Sequence, residues 1–311
     1  MFTRILVPTE GTAHEQHVLA AARVLAERER APLVLVHVDP DATGDMARAR
    51  ATMLDMASVL RGAGVEARTE FAFGRTEEVI AEQARSHEAD VILISPRRRP
   101  LVTALLDPGI TTKLLRQAPV PLLIWPERLG PEVMEKLFGE CAAPVIVPLD
   151  GSLEAERALP LAETYAREHN RVLLLAHVVV PTPSAGPDAS YPVSAANLEQ
   201  PVQAGLRYLE KTRQRLARDG GLDVQSMVLG GSAASELARL GESHPGSLMV
   251  MTTRGRGRMA RMLLGSVAAE LIGITTTPLL IIPSSYEVQA HKQEAERVAD
   301  ETTGPKAAPA R

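Results

Sequence analysis

A near-repetition within the chain constrains its fold more than any other feature. Ile5-Leu6-Val7-Pro8-Thr9-Glu10-Gly11-Thr12 is echoed by Val145-Ile146-Val147-Pro148-Leu149-Asp150-Gly151-Ser152. Leu33-Val34-Leu35-Val36-His37-Val38 is likewise echoed by Leu173-Leu174-Leu175-Ala176-His177-Val178. Both pairs keep an offset of 140, from Glu10 to Asp150 and from His37 to His177. Near the end of each copy the offset is 157, where Pro121-Leu122-Leu123-Ile124 meets Pro278-Leu279-Leu280-Ile281. The second copy is therefore longer by about 17 residues, the difference between the offsets, and the Pro-, Ser- and Ala-rich stretch 180–201 is the place for them. A unit repeated in this way folds as one supersecondary block made twice. The length of 311 residues agrees, since it exceeds what one core usually holds.

Each copy reads as β-α-β-α-β-α-β-α-β. Short apolar runs, such as Ile5–Pro8, Leu33–Val38, Val91–Ile94 and Leu122–Ile124, have the character of strands buried on both faces. Val145–Pro148, Val172–Val178, Leu248–Met251 and Leu279–Ile282 are their partners in the second copy. Thr12 and Glu15 have capping-box spacing before a helix carrying Val18, Leu19, Ala22 and Leu25. Ser152 stands at the equivalent cap, ahead of one helix carrying Leu153, Leu159, Ala162 and Tyr165. The fold expected is α/β, with two tandem doubly wound units, each around a five-stranded, mostly parallel sheet. The first unit spans 1–126 and the second 144–284, joined by a linker (127–143) with a short helix near Glu132–Phe138. Residues 285–311, rich in Glu, Lys, Ala and Pro, read as a mobile tail.

Composition excludes several classes. A formal net charge of -4 gives no general attraction to nucleic acid or to an anionic membrane surface. Arg97-Arg98-Arg99 lacks interleaved aromatics, so nucleic-acid binding is disfavoured there as well. Cys141 is the only cysteine, which excludes an intrachain disulfide and any multi-cysteine metal centre. His14 and His17 have no carboxylate cluster beside them to complete a metal site. No apolar run reaches membrane-spanning length and no signal peptide is visible, so the cytoplasm is the expected location.

Ligands of open α/β sheets bind at the carboxyl ends of the strands, near the switch in strand order. Three segments of the second copy converge there: Pro148-Leu149-Asp150-Gly151-Ser152, then His177-Val178, then Met251-Thr252-Thr253-Arg254-Gly255-Arg256-Gly257-Arg258 followed by Gly265-Ser266. Gly255 and Gly257 allow close backbone approach. Ser266, before the helical run Val267-Ala268-Ala269-Glu270-Leu271-Ile272, can act as an N-cap or turn its hydroxyl to a phosphate. A helix N-terminus there offers free N–H groups to an anion, and four arginines (Arg254, Arg256, Arg258, Arg261) raise the local potential. A solvated basic loop before an ordinary capped helix explains the same residues. His37 and His177, at equivalent strand ends, read as buried, hydrogen-bonded side chains.

On these residues the chain resembles the universal stress protein family. Its nucleotide-binding members carry G-x-x-G, nine residues, then G-[S/T]; here the pattern runs Thr252-x-x-Gly255, residues 256–264, Gly265-Ser266. Thr252 stands where the first glycine is expected. The resemblance covers both copies, to about Pro283, and implies an adenine nucleotide α-hydrolase-like fold. It implies ATP, with Mg2+ as an optional companion, held by Pro148, Leu149, Asp150, Val178, Met251, Thr252, Arg254, Gly255, Gly265, Ser266 and Val267. Asp150 and the Val178 backbone face the adenine and ribose in this reading, and Thr252, Arg254, Gly255, Gly265, Ser266 and Val267 surround the phosphates.

The first copy departs from the pattern. The offset of 157 places Ser95, Arg98 and Pro108 at the positions of Thr252, Gly255 and Gly265, and Glu10 replaces Asp150. Asp107-Pro108 reads as an N-cap and N1 pair that puts a carboxylate where phosphates belong. One ATP per chain, in the second copy, is the expected stoichiometry. The expected role is non-enzymatic: a nucleotide-responsive stress or regulatory protein. The alternatives are a weak ATP hydrolase, for which no base aimed at a γ-phosphate is seen, and a nucleotide-free scaffold. Two structural expectations accompany it. Leu122–Ile124 and Leu279–Ile282 pair across an internal pseudo-two-fold axis, making an intramolecular pseudo-dimer, with a homodimer of whole chains as a further option. Residues 180–201 either fold over the ligand as a lid, with Tyr191 packing on the base, or form a floppy surface excursion.

Overall fold

The computed structural model describes residues 2–10, 12, 15–40, 46–96, 109–139, 142–181, 195–253 and 265–286. The first unit runs β1 (Ile5–Pro8), α1 (Gln16–Glu29), β2 (Leu33–Asp39), α2 (Met46–Gly62), β3 (Ala67–Phe73), α3 (Thr76–Ser86), β4 (Val91–Ile94), α4 (Ile110–Gln117) and β5 (Leu122–Ile124). A linking helix α5 (Pro131–Phe138) follows. The second unit runs β6 (Val145–Pro148), α6 (Leu153–Glu156), α7 (Leu159–Glu168), β7 (Leu173–Val179), α8 (Ala195–Leu216), β8 (Val224–Gly230), α9 (Ala233–Glu242), β9 (Leu248–Thr252), α10 (Ser266–Ile274) and β10 (Leu279–Ile282).

The ten strands form one sheet in the order β3-β2-β1-β4-β5-β10-β9-β6-β7-β8. Every neighbouring pair is parallel except the seam, where β5 and β10 run antiparallel in the register Leu122↔Ile281, Leu123↔Leu280 and Ile124↔Leu279. The pairing expected of the two last strands is met, with Leu123 and Leu280 at its centre. Each unit would otherwise present an unpaired edge, and the seam covers both. Strand residues alternate between two cores. Ile5, Val7, Leu33, Leu35, Leu123, Val145, Val147, Leu280 and Ile282 face α1, α2, α5, α7 and α8. Leu6, Val34, Val36, Leu122, Ile124, Ile146, Leu279 and Ile281 face α3, α4, α9 and α10. Each core runs through both units, so burial does not stop at the seam.

Three local expectations are corrected. The helix after Ser152 is two helices, because Pro160 enters near the start of α7 and the turn at Arg157 and Ala158 resets the axis. Leu153 consequently lies 80% exposed, while Leu159, Ala162 and Tyr165 are buried. The capping box at Thr12 and Glu15 forms only in part. The Glu15 carboxylate does reach the Thr12 N–H (3.4 Å), but the Thr12 hydroxyl has no partner and Glu15 itself is the N-cap of α1. Finally, the inserted stretch is not all loop: α8 begins at Ala195 and carries Pro201 inside it. Residues 182–194 of the expected lid, Tyr191 among them, lie outside the described residues, as do 287–311 of the expected tail.

Candidate functional site

The strand order places the switch of each unit between its first and fourth strands, β1 and β4 in one and β6 and β9 in the other. At the carboxyl end of β6 the chain turns sharply through Gly151, whose φ of 84° is the left-handed conformation that glycine adopts without strain. Asp150 closes the turn, accepting from the Ser152 N–H (2.9 Å) and the Ser152 hydroxyl (2.6 Å). The Ser152 oxygen in turn accepts from Ala155 N–H (3.2 Å), which is the expected cap. Pro148 is half-buried, Leu149 is buried, and the Leu149 N–H donates to Ala176 O (2.8 Å).

His177 lies next to this turn. Its Nδ1 is 2.7 Å from Leu149 O, a carbonyl acceptor, so Nδ1 carries a proton and donates. His37 repeats the contact with Thr9 O at 3.1 Å. Both rings are hydrogen-bonded as expected, but half-buried rather than buried. Val178, also half-buried, follows at the strand end.

The sequence reading missed what α8 brings here. At Gly205 the helix crosses the histidine so closely that a Cβ would come within 2.7 Å of His177 Cδ2. One turn on, the Tyr208 ring lies 6.2 Å from the His177 ring, and its hydroxyl donates to Glu156 (2.9 Å), which also binds Arg215 (2.6 Å). Burial pushes the Tyr208 phenol well above its ordinary range; the hydrogen bond to Glu156 and the charges of Glu156 and Asp150 add to the shift. A signal was available: with aromatics at only 3%, Gly205 and Tyr208 at i, i+3 spacing put a gap and a ring on one helix face.

At the other side of the switch, Met251 is buried and Thr252 is half-buried at the end of β9. The chain leaves after Thr253 and returns at Gly265, whose N–H donates to Thr253 O (2.7 Å) and closes the excursion. Arg254 and Gly255 lie within it, outside the described residues. Gly265 is the N-cap of α10, with φ −67° and ψ 148°, and Ser266 is the first helical residue with no side-chain cap bond. The expectation of Ser266 as N-cap is thus corrected by one position. The Ser266, Val267 and Ala268 N–H groups precede the first intrahelical donor, since Ala269 N–H is the one that reaches Gly265 O (3.1 Å). Three donors and the positive end of a helix therefore stand at the switch point, where an anion is stabilised.

The first unit's turn is chemically different. The Glu15 carboxylate takes the Thr9 hydroxyl (2.6 Å) and the Glu10 N–H (2.9 Å), besides Thr12 N–H. Ser95, at the end of β4, is bonded to His17 Nε2 (2.7 Å). Arg98, Asp107 and Pro108 lie outside the described residues. Among the described residues no group of three or more His, Cys, Asp or Glu is placed to hold a metal ion. Among them, too, no helix is long and apolar enough to cross a membrane.

Comparison with known proteins agrees with this geometry. Residues 1–126 and 143–283 each match the family model described as Universal stress protein family. Universal stress protein MJ0531 of Methanocaldococcus jannaschii is 28% identical over 140 residues, 44% of this chain and 80% of that protein. Universal stress protein Rv2005c of Mycobacterium tuberculosis is 28% identical over 153 residues, 49% of this chain and 51% of that protein, so the match spans about half of each. Among solved structures, protein PA1789 of Pseudomonas aeruginosa superposes with a TM-score of 0.64 over 94% of this chain and 96% of that one. Its 19% identity speaks to the fold alone.

Proposed function

Because the chain belongs to the universal stress protein family, we propose that it is a nucleotide-responsive regulatory protein that holds one ATP per chain, in its second unit. The observation that carries this reading is the N-terminus of α10, whose Ser266, Val267 and Ala268 amides precede the first intrahelical donor, Ala269 N–H, beside the β6–β9 switch. A triphosphate supplies acceptors for amides that have none within the helix. Gly265 has a backbone conformation open to any residue, so in this reading its lack of a Cβ serves to let a phosphate approach the helix end. Pro148, Leu149, Asp150, Val178, Met251 and Thr252 line the same carboxyl edge, and Arg254 and Gly255 belong to the segment between Thr253 and Gly265. Mg2+ enters with the phosphates rather than through a protein cage.

Binding, in this reading, biases a conformational or association equilibrium and does not feed a reaction. Residues 1–126 and 144–284 act as two domains, the first without a phosphate site, since Glu15 already occupies the amides of its turn. Calorimetric titration with ATP, run beside a phosphate-release assay, tests the proposal. The expected result is saturation at one ATP per chain without turnover. Gly265→Val and Asp150→Ala should each weaken binding by about tenfold or more, roughly 1.4 kcal/mol. Steady phosphate release would make the chain an ATP hydrolase, and no binding would make it a scaffold.

A further inference from the structure

The last helices of the two units, α4 and α10, cover the same face of the sheet on either side of the seam. Leu123 pairs with Leu280 there, and the offset of 157 makes these two equivalent positions, so a pseudo-two-fold axis passes through that pair. The same offset carries Thr112, Leu115 and Arg116 of α4 onto Ala269, Ile272 and Gly273 of α10. Those three α10 residues form part of the wall of a cavity at the carboxyl ends of β1, β2 and β4, in the unit to which they do not belong. By the same axis, position 116 of the first unit borders the carboxyl ends of the second unit's strands.

A series of contacts reaches the same place independently. Ala118 is the C-cap of α4, and its carbonyl accepts from the Ser285 hydroxyl (2.6 Å). The adjacent Ser284 hydroxyl lies 3.0 Å from the Thr253 hydroxyl. Thr253 O in turn accepts from the N–H of Gly265, the N-cap of α10 (2.7 Å). The end of α4 is thus tied to the start of α10, where the Ser266, Val267 and Ala268 amides stand. Arg116 lies in the last turn of α4, is exposed, and has no ion-pair partner among the described residues. The carboxyl end of a helix repels an anion, and a cation in its last turn offsets that field. A guanidinium also presents a fork of N–H donors that fits phosphate oxygens. At the equivalent place beside the first unit stands Gly273, which carries no charge.

We propose that Arg116 of the first unit completes the phosphate side of the second unit's nucleotide site, so that ATP is held across the seam by both units. The inference rests on the ATP reading above and deepens it. The unit without a phosphate site of its own supplies a cation to the other. Adenosine, which has no phosphate, gains nothing from that residue and serves as the control probe.

Full-length wild-type, Arg116→Ala and Arg116→Lys proteins are titrated with ATP and with adenosine, and each is unfolded in urea. Arg116→Ala should weaken ATP binding by about tenfold, the size of one charge-assisted contact, with adenosine affinity and the urea midpoint unchanged. Arg116→Lys should recover part of the loss, and ATP affinity should fall more steeply with salt in the wild type than in Arg116→Ala. ATP bound as tightly by Arg116→Ala as by the wild type would overturn the proposal. So would an equal loss of ATP and adenosine affinity, which marks a structural role. If Gly265→Val still weakens ATP binding in either case, the second-unit reading stands without this residue. A wild type that binds no ATP, or binds it indifferently to Gly265→Val, removes the reading and the proposal with it.

Discussion

Arg171 shows how one side chain can tie a linker to a domain. It is 3% exposed, and its guanidinium donates to Ala143 O (3.1 Å), Gly246 O (2.9 Å) and Leu137 O (2.7 Å), with Lys136 O also in contact. Those carbonyls belong to α5 and to the loops that enter β6 and β9, so a single planar cation satisfies acceptors that no strand or helix reaches. Arg171→Met should remove these charge-assisted hydrogen bonds from a buried site, costing about 3 kcal/mol in urea unfolding. Tyr165, whose hydroxyl shares the Leu137 carbonyl (2.5 Å), packs at 4.5 Å on His169. Burial holds the His169 pKa below the ordinary imidazole value of 6.5; the charges facing it include Glu29 and Glu168, which oppose the shift, and Arg171, which adds to it. The unfolded chain therefore takes up this proton first. Stability contributed by neutral His169 is complete above about pH 6.5 and is lost as pH falls from there towards the depressed native value. The melting temperature should drop between pH 7 and pH 5, and His169→Phe should flatten that drop. An unchanged slope in the variant would assign the acid sensitivity to other groups.

Among the elements, α8 has the largest consequence for the proposed site. It spans 22 residues against 17 for its counterpart α2, and only at Gly205 can it lie across His177. Gly205→Val must push the helix from β7 or rotate the histidine away from Leu149 O. A loss of about 1–3 kcal/mol in unfolding free energy is expected, as for overpacked cores. ATP affinity should fall with it if Tyr208 and His177 form the floor of the nucleotide site. Binding unchanged in a destabilised variant would separate α8 from that site. The strands were readable because a parallel sheet buried on both faces requires continuous apolar runs, and Ile5–Pro8, Val91–Ile94 and Leu279–Ile282 end where the sequence places them. The third strands, Ala67–Phe73 and Val224–Gly230, were not located in the sequence, since edge strands mix Arg68, Glu70, Gln225 and Ser226 with apolar residues.

Across the whole molecule, the ties that join the units include the β5–β10 seam, the Ser285 hydroxyl on Ala118 O (2.6 Å), His169 beside Glu29 (3.9 Å), and α5 packed against both sides. Both cores are continuous through the seam, so neither unit can unfold without exposing apolar surface of the other. Calorimetry should accordingly show one cooperative transition, with van't Hoff and calorimetric enthalpies in agreement. Two resolved transitions would mean that the units are held by the linker alone. Sequence by itself determined the duplication, the α/β class and the strands at the centre of each unit, because strand burial and helix periodicity are written in local residue patterns. It also marked Asp150, Gly265 and Ser266 as the residues to examine. Only the tertiary structure decided that α8 sets Tyr208 beside His177 and that α10 walls a cavity in the other unit. Those contacts join residues far apart in the chain, and no local pattern encodes which distant helix face will cover a given strand end.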